Sequence, residues 1–111
     1  MKGDHLGEFE ELVLLAVQGL SAEAYGVSVQ QVLSAETSRD VSLGAVYAAL
    51  DRLEAKGLVR SRMVAGTATR GGRSRRSFTV TAVGTRVLDA MQDVRVRLRR
   101  SATYRAARSR P

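Results

Sequence analysis

The apolar residues of this chain recur with periods that predict four helices and one β-hairpin. Residues 6–20 carry them three and four positions apart, the spacing of a helix with one buried face. Residues 26–37 predict a second, short helix whose inward set is Tyr25, Val29, Val32 and Leu33. Residues 42–56 predict a third helix, with an inward stripe of Leu43, Val46, Tyr47, Leu50 and Leu53.

The third helix is flanked by residues that favour helix ends. The hydroxyl of Ser42 can accept a first-turn N–H, and Gly57 can adopt the left-handed conformation that ends a helix. Residues 58–64 then alternate between apolar and polar side chains. This alternation predicts a strand with Val59 and Met63 on its inward face and arginines on the other.

A loop rich in glycine and arginine separates this strand from the next. Residues 65–75 have no apolar period, and residues 76–81 alternate again as a return strand. Its inward residues are predicted to be Phe78 and Val80, and its outward residues Ser77, Thr79 and Thr81. Three helices followed by a two-stranded hairpin predict a winged helix-turn-helix, an α+β fold that is mainly α.

Thr81 can cap a last helix that begins at residue 82 and ends at about residue 107. At ~1.5 Å per residue this helix spans ~39 Å, which is more than a small winged-helix core can cover. Its apolar stripe therefore needs another surface, either the same helix of a second copy or the first helix of its own chain. We favour the second copy, and the predicted dimerisation residues are Val87, Met91, Val94, Leu98 and Ala102.

The outward face of the third helix carries small side chains. Ala45, Ala48, Ala49 and Arg52 are predicted to lie there, with Gly44 beside them in the first turn. Methyl-sized side chains let a helix approach base edges in the major groove of DNA, where alanine can contact thymine methyl groups. Alanine is also the best helix former, so the same face is compatible with a helix that contacts nothing.

Charge is divided unequally along the chain. Residues 1–57 hold 4 basic and 9 acidic residues, whereas residues 58–111 hold 14 arginines and 2 aspartates. The planar guanidinium of arginine suits contacts with phosphate and with guanine edges. A basic second half therefore indicates a polyanionic partner, although an ordinary solvated surface can have the same composition.

The composition excludes several other classes of protein. The chain has no cysteine and one histidine, His5, so we expect no metal, no cofactor and no catalytic nucleophile–base pair. No apolar run is long enough for a transmembrane helix, and the acidic residues near the start do not fit a signal peptide. We therefore expect a cytoplasmic protein that is not an enzyme and does not bind membranes.

Four segments of the chain resemble the PadR family of bacterial transcription regulators. They read LGEFEELVLLAV at 6–17, AYGVSV at 24–29, VSLGAVYAALDRLEAKGLV at 41–59 and RGGRSRRSFTVTAVG at 70–84. The resemblance implies a homodimeric winged-helix protein, generally a repressor, whose third helix enters the major groove. It also implies a wing on the adjacent minor groove or backbone, and a dimer built by one C-terminal helix as in the compact branch of that family.

The same resemblance assigns residues to a DNA interface. It places Ser42, Gly44, Ala45, Tyr47 and Ala48 on the recognition helix, and Arg70, Gly72, Arg73 and Arg75 on the wing. Ser42 and nearby N–H groups are expected to hold a phosphate, whereas the Tyr47 hydroxyl can reach either DNA or a neighbouring carbonyl. The chain departs from the family because its wing lacks the usual proline-containing stretch and has Ser77 where an aromatic residue is common.

Together these patterns predict a dimeric, sequence-specific regulator that binds double-stranded DNA at a palindromic operator and represses transcription. Residues 1–81 are expected to form the DNA-binding domain, and residues 82–111 the dimerisation helix with a basic tail. Helix 42–56 would occupy the major groove, and the wing 65–76 the minor groove or the backbone. The alternative is a winged-helix module for protein or RNA contacts without operator specificity. A small-molecule effector cannot be named, and the chain has no tryptophan to line an apolar effector pocket.

Overall fold

The computed structural model describes residues 6–66 and 74–109, without the side chains of residues 103–107 and 109. These ranges contain four helices and a two-stranded antiparallel sheet. The elements are α1 (Glu8–Leu20), a 3-10 turn (Ser21–Glu23), α2 (Gly26–Thr37), α3 (Leu43–Ala55), β1 (Val59–Val64), β2 (Arg75–Val80) and α4 (Ala82–Ser109). This order confirms the predicted winged helix-turn-helix with a long last helix, and only the ends of the elements differ.

Local hydrogen bonds set the ends of α3 and α4 as the sequence predicts. Ser42 Oγ accepts a hydrogen bond from the Ala45 N–H at 3.1 Å, and Gly57 has a positive φ of 77°. Thr81 Oγ1 accepts from the Gly84 N–H at 3.0 Å and donates to the Gly57 carbonyl at 2.7 Å. Thr81 therefore joins the end of α3 to the start of α4.

The core lies between the first three helices and one face of the sheet. Its largest fully buried side chains include Leu14, Leu50, Leu53, Leu58 and Phe78. The start of α4 closes one side, because a Cβ built at Gly84 would lie only 2.3 Å from the Leu58 carbonyl oxygen. Only a glycine therefore lets α4 approach this carbonyl so closely.

The burial of two side chains differs from the prediction. Ala49 is fully buried, not outward, because it lies three residues after Val46 and four before Leu53, both of which are core residues. Met63 lies on the same strand face as Val59, as predicted, but it is 60% exposed and not buried. It pairs with Arg76, whose guanidinium occupies the space between the sheet and α3.

One residue of the return strand that was predicted to face solvent is buried, whereas Thr79 is exposed as predicted. Ser77 is only 6% exposed, so the prediction that it points outward is wrong. The reason is a second neighbour of β2: Tyr25 forms an antiparallel bridge with Ser77, and the Phe78 N–H donates to the Ala24 carbonyl at 2.9 Å. The segment before α2 thus lies along the outer edge of β2.

The first half of α4 packs on its own chain and the second half does not. The residues that pack against the core are Val87, Leu88 and Met91. Arg95 still reaches Glu11 of α1, with a hydrogen bond of 2.6 Å, whereas Val94 and Leu98 are 44% and 63% exposed. An apolar stripe therefore remains open along the second half. None of the described helices is long and apolar enough to cross a membrane.

Candidate nucleic-acid interface

One face of α3 is open and made of small side chains. Gly44, Ala45 and Ala48 are exposed there, and a Cβ built at Gly44 would meet no atom within 4 Å. Asp51 and Arg52 are exposed one turn further along. The sequence prediction that Gly44, Ala45, Ala48 and Arg52 share a surface is therefore confirmed. Another surface could approach the α3 backbone closely over its first two turns.

Ser42 lies exposed at the N-terminal end of this face. Its Oγ accepts the Ala45 N–H, so the hydroxyl hydrogen can still be donated to another acceptor. First-turn N–H groups have no partner within the helix, and they carry the positive end of the helix dipole. This end of α3 is thus suited to an anion.

Tyr47 lies at the margin of the core, as its spacing predicts, with its ring on the first residue of α2. A Cβ built at Gly26 would lie 2.3 Å from Tyr47 Cζ and 2.4 Å from its hydroxyl oxygen. Within residues 6–66 and 74–109 this hydroxyl forms no hydrogen bond, either with a carbonyl or with a side chain. The ring therefore holds α3 against α2, and the hydroxyl lies beside the N-terminus of α2.

A nearly buried carboxylate beside this face was not predicted to be part of the site. Glu10 of α1 is 8% exposed, and its two carboxylate oxygens accept from Arg52 Nε and Lys56 Nζ, each at 2.7 Å. The hydrogen bonds from Lys56 and Arg52 hold the pKa of Glu10 below its ordinary value, although burial acts in the opposite direction. Glu10 lies three residues before Val13 and four before Leu14, so the helical period places it on the inward face of α1. This spacing is the feature of the sequence that could have predicted its burial.

Only one of the four predicted wing residues can be placed. Arg70, Gly72 and Arg73 lie outside the described residues. Arg75 begins β2 instead of ending the loop, and its guanidinium lies over the Tyr25 ring, 3.5 Å from the ring centroid. This cation–π contact restricts Arg75 at the base of the hairpin.

Arg76 joins the hairpin to α3, and the sequence analysis did not identify this contact. Its guanidinium donates to Glu54 Oε1 at 2.9 Å and to Asp51 Oδ1 at 3.4 Å. The other oxygen of Glu54 accepts from Ser61 Oγ at 2.8 Å. Arg76 and Ser61 face α3 because they share the strand face of Phe78. These bonds fix the hairpin relative to α3.

The acids of α1 also form ion pairs with distant arginines. Glu8 pairs with Arg39 in the turn before α3, and Glu11 pairs with Arg95 of α4. The hydrogen bond from Arg39 lowers the pKa of Glu8. Among the described residues, no three His, Cys, Asp or Glu side chains converge to hold a metal ion. An open helix face with a positive N-terminus and an exposed arginine is suited to bind a polyanion.

The family comparison matches residues 14–90 to the family described as "Transcriptional regulator PadR-like family". This span includes the second half of α1, all of α2 and α3, the hairpin and the first turns of α4. Comparison with functionally curated proteins gives no significant match.

Several solved structures share this fold. A PadR-like transcription factor from Bacteroides fragilis is 23% identical, with a TM-score of 0.72 over 86% of this chain and 87% of that chain. A PadR-like transcriptional regulator from Bacillus cereus is 20% identical, with a TM-score of 0.68 over 93% of each chain. Bacillus subtilis PadR in complex with operator DNA is 15% identical, with a TM-score of 0.64 over 76% of this chain and 47% of that chain.

Proposed function

We propose that this chain, which belongs to the PadR-like family of transcriptional regulators, is a dimeric repressor. Its helix α3 would read a specific sequence of duplex DNA. The observation that carries this proposal is the open face on which Gly44, Ala45 and Ala48 leave the helix backbone accessible. The major groove is about 12 Å wide and admits one helix, and alanine methyl groups can contact thymine methyl groups there.

Polar groups around this face would contact the DNA backbone. Ser42 and the first-turn N–H groups would hold one phosphate at the N-terminal end of α3. The Tyr47 hydroxyl would donate to a phosphate near the start of α2, and Arg52 would reach the edge of the groove. Such contacts fix the register of the helix, while contacts to base edges select the sequence.

The hairpin would bind the adjacent minor groove or backbone. Its loop would place Arg70, Gly72 and Arg73 near the duplex, because arginine is attracted to a narrow minor groove. Arg75 would act from the base of the hairpin. The Arg76 bonds to α3 support this arrangement, since they allow two elements to meet one face of the duplex. Bacillus subtilis PadR, which shares the fold, was solved in complex with operator DNA, and this supports duplex DNA as the partner.

The open stripe of α4 would form the dimer. Val94 and Leu98 are exposed apolar side chains, and each would gain about 25 cal/mol per Å² of apolar surface removed from water. A second copy offers the same stripe, so two α4 helices can pair about a two-fold axis. Residues 1–81 would then bind DNA, and residues 82–111 would dimerise. Of the five predicted dimerisation residues, Val94, Leu98 and Ala102 belong to this open part, whereas Val87 and Met91 already pack partly against the core of their own chain.

The first experiment is selection of bound fragments from random duplex DNA. A dimer with two recognition helices should enrich a palindrome whose half-sites lie one helical turn, or a multiple of one turn, apart. Repression would then be measured with the selected site placed across a reporter promoter. Failure to enrich any sequence would contradict operator recognition. In that case, tighter binding to structured RNA than to duplex DNA at fixed salt would favour the alternative of an RNA-interaction module.

Ala48→Leu tests whether α3 enters the groove. A leucine at this position should prevent close approach, so affinity for the selected operator should fall at least about tenfold, which corresponds to about 1.4 kcal/mol. The matched control is Ala35→Leu, which makes the same change at an exposed position of α2. Operator titrations and thermal unfolding of both variants are compared. Normal operator binding by a folded Ala48→Leu variant would exclude α3 from the groove.

A further inference from the structure

The first turns of α1 connect to three other parts of the molecule through three acidic residues. Glu8 bonds Arg39 in the turn between α2 and α3, at 3.1 Å, and Glu11 bonds Arg95 of α4, at 2.6 Å. Glu10, between them on the helix, bonds Arg52 of α3. Glu10 and Glu11 are both largely buried, whereas Glu8 is open to solvent. Of these three contacts, only the Glu10 contact ends at an arginine on the open face of α3.

The Glu10 contact is anchored inside the protein and ends at its surface. The Glu10 side chain is 10% exposed, whereas the Arg52 side chain is 53% exposed. In the Glu8 pair, by contrast, both side chains are open to solvent. Lys56 occupies the second oxygen of Glu10, so the carboxylate is held from both sides. Glu10 therefore provides a fixed acceptor for a side chain that extends from the open face of α3.

The position of Arg52 relates this contact to the open face. Arg52 lies seven residues after Ala45, so it is two turns and roughly 10 Å further along the same side of α3. The bond to Glu10 uses Nε, and a guanidinium has two more nitrogens that can donate in the same plane. One edge of the group can thus bind the protein while another edge binds an outside acceptor.

We infer that Glu10 is a positioning residue of the DNA interface, which holds the Arg52 guanidinium so that its terminal nitrogens meet a phosphate at the edge of the groove. This inference rests on the proposed function. A long side chain loses rotamer freedom when it binds, and a partner that already restricts it reduces this cost. Glu10 can do so without cancelling the local charge, because it is shared by two cations.

Glu10→Gln is the decisive variant, because a positioning role and a purely electrostatic role of Glu10 predict opposite changes in operator affinity. Removal of a negative charge beside DNA should strengthen binding if charge alone matters. Loss of the anchor should weaken operator binding about twofold to tenfold at fixed salt. Glu8→Gln is the matched control: it removes the same charge from the same turn and breaks a pair outside α3. It should bind operator as tightly as the wild type or slightly more tightly.

The double variant separates positioning from a general structural effect. In an Arg52→Ala background, Glu10→Gln should cause no further loss of operator affinity, since the side chain that it positions is absent. A loss of the same size in both backgrounds would overturn the inference, as would tighter binding by the single Glu10→Gln variant. Each Kd is measured by titration of operator duplex with the full chain.

Arg52→Lys provides a second test that does not alter the buried carboxylate. Lysine keeps the charge but has one nitrogen, so it cannot bind Glu10 and a phosphate with separate edges of a planar group. Its operator affinity should fall toward that of Arg52→Ala, and affinity equal to the wild type would overturn the inference.

If the wild type itself selects no duplex sequence, the proposed function fails. If the wild type binds and the variants do not follow this pattern, only the present inference fails.

Discussion

Glu10 is a charged residue at a nearly buried position, and two cations of α3 stabilise it there. The bonds from Lys56 and Arg52 hold its pKa below the ordinary value of 4.5. A carboxyl with a lowered folded-state pKa stabilises the fold above its unfolded-state pKa. That contribution is lost as the pH falls through the folded-state value. Acid should therefore weaken the fold partly through this one group.

Replacing Glu10 with glutamine should make stability less sensitive to acid. The free energy of unfolding of Glu10→Gln should be lower than that of the wild type at pH 7. The difference should narrow as the pH falls below about 4.5, because the Glu10 carboxyl takes up its proton there in the unfolded chain before it does so in the folded protein. Urea unfolding at a series of pH values measures this difference. A gap that stays constant down to pH 3 would show that the charge of Glu10 contributes nothing.

Two glycines give a second prediction for single residues. A Cβ at Gly84 would lie 2.3 Å from the Leu58 carbonyl oxygen and 2.8 Å from Val80 Cγ1, so Gly84→Ala must displace the start of α4. We expect it to lower the free energy of unfolding by about 1–3 kcal/mol. Gly44→Ala is the control, because its Cβ meets no atom within 4 Å and helices favour alanine. Equal urea midpoints for both variants would contradict the close approach of α4.

The helices could be predicted because their signals are local. The inward stripe and the cap residues of α3 are all within sixteen residues of sequence, from Ser42 to Gly57, and both caps form as predicted. The burial of Ser77 was not predictable in this way, since it depends on the distant segment that carries Tyr25. Ala49 was misplaced because its small size was given more weight than its spacing from core residues.

The ion pairs of the candidate site depend on the assembled fold. Glu10 and Arg52 are 42 positions apart in sequence, and Arg76 is 22 positions from Glu54. Neither pair follows from a period or from a motif. The sequence therefore predicted the open face of α3, whereas Arg70 and Arg73 of the predicted wing lie outside the described residues. The bonds by which Glu10 holds Arg52 and Glu54 holds the hairpin depend on the contacts among α1, α3 and the sheet.

For the hairpin as an element, Arg73→Ala tests contact with the phosphates. Because a phosphate contact carries no sequence information, affinity should fall for operator and random duplex alike. The slope of log affinity against log salt should decrease in magnitude by about one. Arg60→Ala is the control, since it removes the same charge from an exposed position of β1. If both variants change the slope equally, the effect of Arg73 reflects overall charge and no wing contact.

On the scale of the whole molecule, α4 extends far beyond the domain that supports it. The protein measures 70 Å along its longest axis and 30 Å and 20 Å along the others. Most helices in proteins depend on packing for stability, and the second half of α4 has an apolar stripe without a covering element among the described residues. A second copy that covered this stripe would therefore stabilise the second half of α4.

If two copies pair through α4 as proposed, DNA recognition should depend on oligomeric state, and Leu98→Asp tests this dependence. Leu98 is 63% exposed, so aspartate should not disturb the protomer core, but it would place a charge in the paired stripe. Sedimentation equilibrium should show the variant as a monomer. The variant should lose preference for the palindrome, because one recognition helix binds only one half-site, and should retain weak, salt-sensitive binding to any duplex.

Val96→Asp is the control, since residue 96 is exposed and lies about 200° around the helix from residue 98. The proposed dimer would be wrong if Leu98→Asp sedimented as the wild type does, or if Val96→Asp dissociated to the same extent.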